Sequence, residues 1–269
     1  MFFARAAACL IAACIFGPVA EAGECPGHPG ALGTSRIMAI DPAEHHRVGL
    51  DQYSQTLPLD DHEVVLTFDD GPSARNTKTV LDALAAECVK ATFFIVGSMA
   101  RRAPGLVKRE YDEGHTIGTH TQDHAHLQRL SKTRAWNEID DGIASASAAL
   151  GDPKALSPFF RFPYLDNTKA LEEEVIAHGL MIWSVDFAVN DWMPLAPEKV
   201  LALALRRLEK RGKGMILFHD IQRRTAIALP KFMRELKKRG YKIVHVAPAD
   251  SWMPTEVGQL RHVPANALN

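Results

Sequence analysis

Val64-Val65-Leu66-Thr67-Phe68-Asp69-Asp70-Gly71-Pro72 sets an apolar, partly β-branched run directly before two adjacent acids and a Gly-Pro turn. A run with so little polar alternation reads as a strand buried on both faces, and such strands belong to parallel sheets covered by helices. Further runs of this kind lie at Thr92–Val96, Thr116–Thr119, Phe159–Pro163, Met181–Asp186, Met215–His219 and Tyr241–Val246. Stretches of helical period separate most of them, at Thr77–Glu87, Pro104–Glu113, Lys132–Leu150, Lys169–His178, Pro197–Arg211 and Thr225–Arg239. Gly114, Gly179 and Gly240 follow three of these helices, and Thr77 and Thr168 stand where caps belong. The alternation predicts an α/β fold: a single distorted (β/α) barrel of about seven parallel strands over residues 63–247, with the helices outside. Residues 23–62, rich in Gly, Pro, Asp and His, read as an irregular arm lying over that domain, and 248–269 as a C-terminal tail.

The chain has 269 residues, with 31 Lys and Arg against 32 Asp and Glu, 46% hydrophobic and 23% charged residues. That balance excludes a disordered chain, and the absence of a basic excess argues against a nucleic-acid partner. Arg5, the apolar run Ala6–Phe16, and Ala20-Glu21-Ala22 have the three-part layout of a secretory signal over residues 1–22. The protein is therefore expected to be exported, periplasmic or secreted, with no stable membrane insertion and as a monomer. Ile11-Ala12-Ala13-Cys14 leaves lipoprotein anchoring as an alternative. Cys25 and Cys88 stay in the mature chain, where an oxidising compartment allows a bridge; a buried Cys88 beside a free Cys25 is the other reading.

In a parallel barrel, the residues just past the carboxyl ends of the strands converge on one face. Five strand ends here carry unusual chemistry: Asp69-Asp70; His120-Thr121-Gln122-Asp123-His124; Arg161-Phe162-Pro163-Tyr164; Asp186 with Asp191-Trp192; and Leu217-Phe218-His219-Asp220. His120 and His124, four apart, could aim at one point, and with Asp70 they would make a two-His, one-carboxylate site for a divalent ion. His115 and His126 nearby also fit a merely histidine-rich polar loop. Asp69 could be held ionised by Arg161 and left to take a proton, although an Asp-Gly pair also serves as a plain turn. His219 beside a carboxylate suits a proton donor.

These motifs resemble those of the polysaccharide deacetylase family, also called the NodB-homology domain or carbohydrate esterase family 4, over about Glu63 to Val246. The resemblance implies Asp69 as catalytic base, and Asp70, His120 and His124 as ligands of one divalent ion, zinc or else cobalt, nickel or manganese. It implies Arg161 orienting Asp69, the Tyr164 N–H at the oxyanion, and the motif around Leu217 and His219 bringing the catalytic acid. Asp191 would support His219, and Trp192 would line the groove. One departure is visible: Asp186 and Asp191 enclose four residues where the family usually has two. The implied reaction removes N-acetyl groups from N-acetylglucosamine-containing glycans, peptidoglycan or chitooligosaccharide, releasing acetate. An O-acetyl-xylan-type esterase and a non-catalytic glycan-binding relative are the alternatives.

Overall fold

A computed structural model describes Cys25 and residues 27–249. The signal expected over residues 1–22 lies outside these residues, as does the tail beyond Ala249. The order of elements is β1 (Thr34–Ile40), β2 (Arg47–Val48), β3 (Glu63–Asp69), α1 (Asn76–Ala86), β4 (Thr92–Ile95), α2 (Gly97–Arg102), α3 (Pro104–Asp112) and β5 (Thr116–Thr119). There follow α4 (Lys132–Leu150), β6 (Phe159–Phe160), α5 (Lys169–Ala177), β7 (Met181–Trp183), β8 (Phe187–Ala188), α6 (Pro197–Arg211), β9 (Gly214–His219), α7 (Arg223–Lys238) and β10 (Lys242–Pro248).

Every pairing in the sheet is parallel. β3 is its hub, pairing with β9 over Val64–Asp69 and with β4 over Thr67–Asp69, while β10 takes Glu63 and Val64. From β8 the strands run β9, β3, β4, β5, β6, β7 and β2. Among the described residues no ladder joins β8 to β7 or β2, so the distorted barrel stays open along that seam.

Strand periodicity sorts β3 into two faces. Val64, Leu66 and Phe68 join the large core shared with the helices. Val65 joins a second apolar cluster inside the curve of the sheet, with Phe94, Phe159, Trp183 and Met215. Thr67 and Asp69 share the inward parity of Val65, which carries a polar pair into the barrel and delivers Asp69 to its mouth. Trp183 lies in this interior cluster, and Trp136 packs against the outer core.

The arm departs from the expectation of irregular chain. Thr34–Ile40 lies beside β10, and Arg47–Val48 adds to the free edge of β7. Polar and charged residues interrupt these short strands, and β1 buries only Met38 and Ile40. The signal for β1 is the partner strand rather than its own pattern. Beyond β2, Asp51 N–H donates to Val185 O at 2.9 Å and Leu50 N–H to Asp186 Oδ1 at 3.0 Å, so the arm lines the open seam. Cys25 and Cys88 are bridged, with Cα atoms 5.7 Å apart, tying the arm to the end of α1.

Other differences are local. Met181–Asp186 is not one strand; it stops at Trp183, and β8 begins at Phe187 on the other side of the seam. Thr168 caps α5 by accepting from Leu171 N, whereas Thr77 lies inside α1, accepts from Ser73 N and donates to Asp220. Gly114, Gly179 and Gly240 take φ of 82°, 77° and 75°, the left-handed turn-off that favours glycine after a helix. The last strand continues to Pro248, two residues beyond the Val246 end read from sequence. Among the described residues no helix is long and apolar enough to cross a membrane.

Candidate active site

The ends of β3, β5, β6 and β9, with the loop after β8, surround one cavity of about 960 Å³. Its lining includes Asp69, Asp70, His120, His124, Tyr164, Trp192, Leu217 and His219. Arg161 and Asp191 are fully buried behind that lining. The ten residues singled out from sequence thus form one assembly.

Asp70, His120 and His124 each offer a ligand atom within 4.8 Å of the others. Asp70 Oδ1 lies 3.5 Å from His120 Nε2 and 3.2 Å from His124 Nε2. That oxygen is buried and otherwise without a hydrogen-bond partner. His120 Nδ1 is 2.7 Å from the carbonyl of Arg161, an acceptor, so this nitrogen carries the proton and Nε2 presents its lone pair. Burial pushes the His120 pKa down to about 3, against the pull of Asp70, so the ring is neutral at ordinary pH. Two imidazoles and an orphaned carboxylate oxygen fit a divalent ion of the zinc type.

Asp69 is held from below. Arg161 Nη1 donates to its Oδ1 at 2.5 Å and to Thr67 Oγ1 at 2.9 Å; Nη2 donates to Ser184 O at 3.0 Å. The guanidinium also sits 4.0 Å from the ring centre of Phe94. Such a clamp uses the fixed fork of Arg and answers a charge that burial alone would not permit. Burial raises the Asp69 pKa, and the positive charge of Arg161 opposes the rise. Asp69 Oδ2 remains on the cavity side, 3.8 Å from His120 Nε2.

His219 stands opposite. Its Nδ1 is 2.7 Å from Asp191 Oδ1, and its backbone N–H donates to Asp191 Oδ2 at 2.7 Å. Thr225 Oγ1 donates to the same Oδ2 at 2.5 Å. Burial works against the imidazolium, but the hydrogen bond and charge of Asp191, with Asp70 and Asp69 behind it, outweigh burial and push the His219 pKa up to about 9. Its Nε2 points to the trio, 3.9 Å from Asp70 Oδ2. The longer interval before Asp191 therefore does not displace it from His219. Asp186, the first acid of that interval, lines the cavity but accepts from Leu50 N and Met215 N, which makes it a staple across the seam.

Tyr164 has φ 62° in a short turn; its ring is stacked 3.7 Å from His126 and meets His124 edge-on at 4.5 Å. Trp192, half exposed, stands edge-on to His219 at 5.6 Å. Three contributors are not evident from sequence. Thr67 joins the Arg161 clamp, and Thr225 braces Asp191. Asp220 packs so close to Gly71 that a Cβ there would strike its carboxylate, which holds the turn carrying Asp70. Only the pairing of Thr67 with Asp69 on one strand face hints at any of them.

A parallel α/β barrel with a trio that could hold a metal, set between a clamped carboxylate and a carboxylate-backed histidine, is an arrangement suited to hydrolysis. Residues 57–183 match the model of the polysaccharide deacetylase family. The peptidoglycan-N-acetylglucosamine deacetylase PgdA of Listeria monocytogenes is 38% identical over 189 residues, covering 68% of this chain and 38% of that protein. A chitooligosaccharide deacetylase of Bradyrhizobium is 31% identical over 198 residues, 67% of this chain and 87% of the relative. Among solved structures, the Bdellovibrio bacteriovorus peptidoglycan deacetylase Bd3279 superposes with a TM-score of 0.73 at 31% identity, covering 86% of this chain and 64% of that one. The chain thus spans less than two-fifths of the PgdA length and under two-thirds of Bd3279. It belongs to the polysaccharide deacetylase family, the NodB-homology group of carbohydrate esterase family 4.

Proposed function

We propose that the protein hydrolyses N-acetyl groups of N-acetylglucosamine-containing glycans, peptidoglycan or chitooligosaccharide, releasing acetate and leaving a free amine on the sugar. The observation that carries this is the meeting of Asp70, His120 and His124 between Asp69 and His219. A divalent cation held by that trio, with zinc the best match to the donor set, supplies Lewis acidity toward water and the amide carbonyl.

The chain's own groups do the rest. Asp69, kept ionised by Arg161, takes the proton of the attacking water on Oδ2, since Oδ1 is engaged. The N–H of Tyr164 is assigned to the developing oxyanion, a contact worth about 3 kcal/mol in comparable sites. His219, charged at neutral pH, donates from Nε2 to the departing nitrogen, because an amine leaves poorly as an anion. Asp191 keeps the donor's other nitrogen occupied and the ring in register. Leu217 and Trp192 shape the walls. The C–N bond breaks and the water oxygen stays with the acyl carbon; Asp69 takes one water proton, His219 supplies the amine's, and the second water proton leaves as acetic acid ionises to acetate.

Export to the cell envelope belongs to the same reading. It is supported by the signal-like residues 1–22 and by the Cys25–Cys88 bridge, which suits an oxidising compartment. The deciding experiment is acetate release from chitopentaose, peptidoglycan fragments and acetylxylan, by chelator-treated protein with and without added zinc, cobalt, nickel or manganese. Metal-dependent release from one of the first two supports the proposal. Release from acetylxylan alone would replace it with the esterase reading, and no release from any would favour a binding protein.

A further inference from the structure

The cavity does not end at the trio. Its lining continues past Trp192 and His219 to Asp186, Phe187 and Ala188 along the open seam, and reaches Arg207, Lys210 and Arg211 of α6. These cations differ in what holds them. Arg207 is half-buried and committed to the carbonyl of Ala188 and to Asn190 Oδ1. Lys210 and Arg211 are exposed, and among the described residues neither has an ion pair or a side-chain hydrogen bond. Their neighbour Glu209 is taken by Arg239.

Two acids face this wall. Asp186 gives its oxygens to the backbone N–H groups of Leu50 and Met215, and Asp51 lines the cavity without an ion pair to either cation among the described residues. The last turn of a helix favours cations through its dipole. That explains their stability on α6 but leaves their charge uncompensated inside the cavity that holds the reacting groups. A guanidinium fork takes a planar carboxylate through two parallel N–H···O bonds, and an ammonium on the same wall adds a point charge.

We infer that this end of the cleft is a subsite for a carboxylate carried on a branch of the glycan, such as a lactyl ether or a peptide-stem carboxyl. The inference rests on the deacetylase reading and narrows its substrate class: acidic, branched amino-sugar chains are held at both the trio and the α6 wall, neutral chains at the trio alone.

The test compares kcat/KM for acetate release from two oligomers of equal length. One is neutral chitotetraose, and the other alternates N-acetylglucosamine with lactyl-ether-bearing N-acetylmuramic acid. The holoenzyme should prefer the acidic oligomer, and the double variant Lys210→Ala/Arg211→Ala should lower that preference about tenfold, a loss of roughly one contact of 1.4 kcal/mol. Rising salt should erode the preference of the parent protein, since the charges face solvent. Arg206→Ala, an exposed control on the same helix, should leave the ratio as it was. A ratio unaffected by the double variant overturns the subsite while leaving the deacetylase reading intact. Absence of acetate from both oligomers with the parent holoenzyme overturns the two together. Affinity of both oligomers for the Asp69→Asn form, measured by calorimetry, should show the same dependence on Lys210 and Arg211 without turnover.

Discussion

At the mouth of the barrel, chemical roles are divided among side chains whose surroundings differ sharply, and substitutions should separate them. Asp69→Asn removes the proposed proton acceptor but none of the trio, so turnover should fall by at least about a thousandfold while metal stoichiometry stays near one. His120→Ala should lose metal and activity together; a fully metallated but inactive His120→Ala protein would contradict its assignment as ligand. Asp191→Asn removes the main support for the His219 charge, so the alkaline limb of kcat/KM should move to lower pH than in the parent protein. Arg161→Lys cannot serve Asp69, Thr67 and Ser184 O at once and leaves buried acceptors unmet, costing about 3 kcal/mol in urea unfolding as well as rate. Residues of this kind are legible as candidates in the amino-acid sequence, because charged and metal-ligating groups recur at five strand ends although each alone has an ordinary use. Thr67, Thr225 and Asp220 are not, since a hydroxyl or a second acid in such places reads as ordinary turn or strand chemistry until its partner is known.

Among the elements, the buried strands announce themselves as unbroken apolar runs and the long helices through their period, because β3 and α6 contain enough residues for a pattern to emerge. The two-residue β8 has no pattern to read; its pairing is imposed by its neighbour β9. The arm is illegible for the same reason, its strands being recruited by the exposed edges of β10 and β7. Its attachment is testable. The bridge from Cys25 to Cys88 spans 63 positions, so replacing both with Ala should lower stability by about 2–4 kcal/mol, seen as a fall in the urea midpoint that reductant reproduces in the parent protein. An unchanged midpoint would mean that the arm is held by its strand pairing alone.

For the molecule as a whole, acid is the condition that should unfold it in the most revealing way. Burial holds the His115 pKa well below its ordinary value and lowers that of His245 to about 4. Both lie away from the trio. Folded, they stay neutral; unfolded, each takes up a proton below about pH 6.5. The unfolded chain therefore binds more protons as pH falls from 6.5 toward 4, and stability should drop by about 1.4 kcal/mol per pH unit for each histidine, roughly 2 kcal/mol apiece by pH 5. Urea midpoints equal at pH 7 and pH 5 would show that these rings are not neutral in the native protein. The seam between β7 and β8 has an outcome of a different sort. Because no strand ladder closes it among the described residues, the stretch 49–56, whose Asp51 lines the cleft, does not bear the sheet's own pairing. Anyone wishing to retune which sugars are accepted would edit that short stretch first, where a changed loop alters the opening and spares the framework beneath.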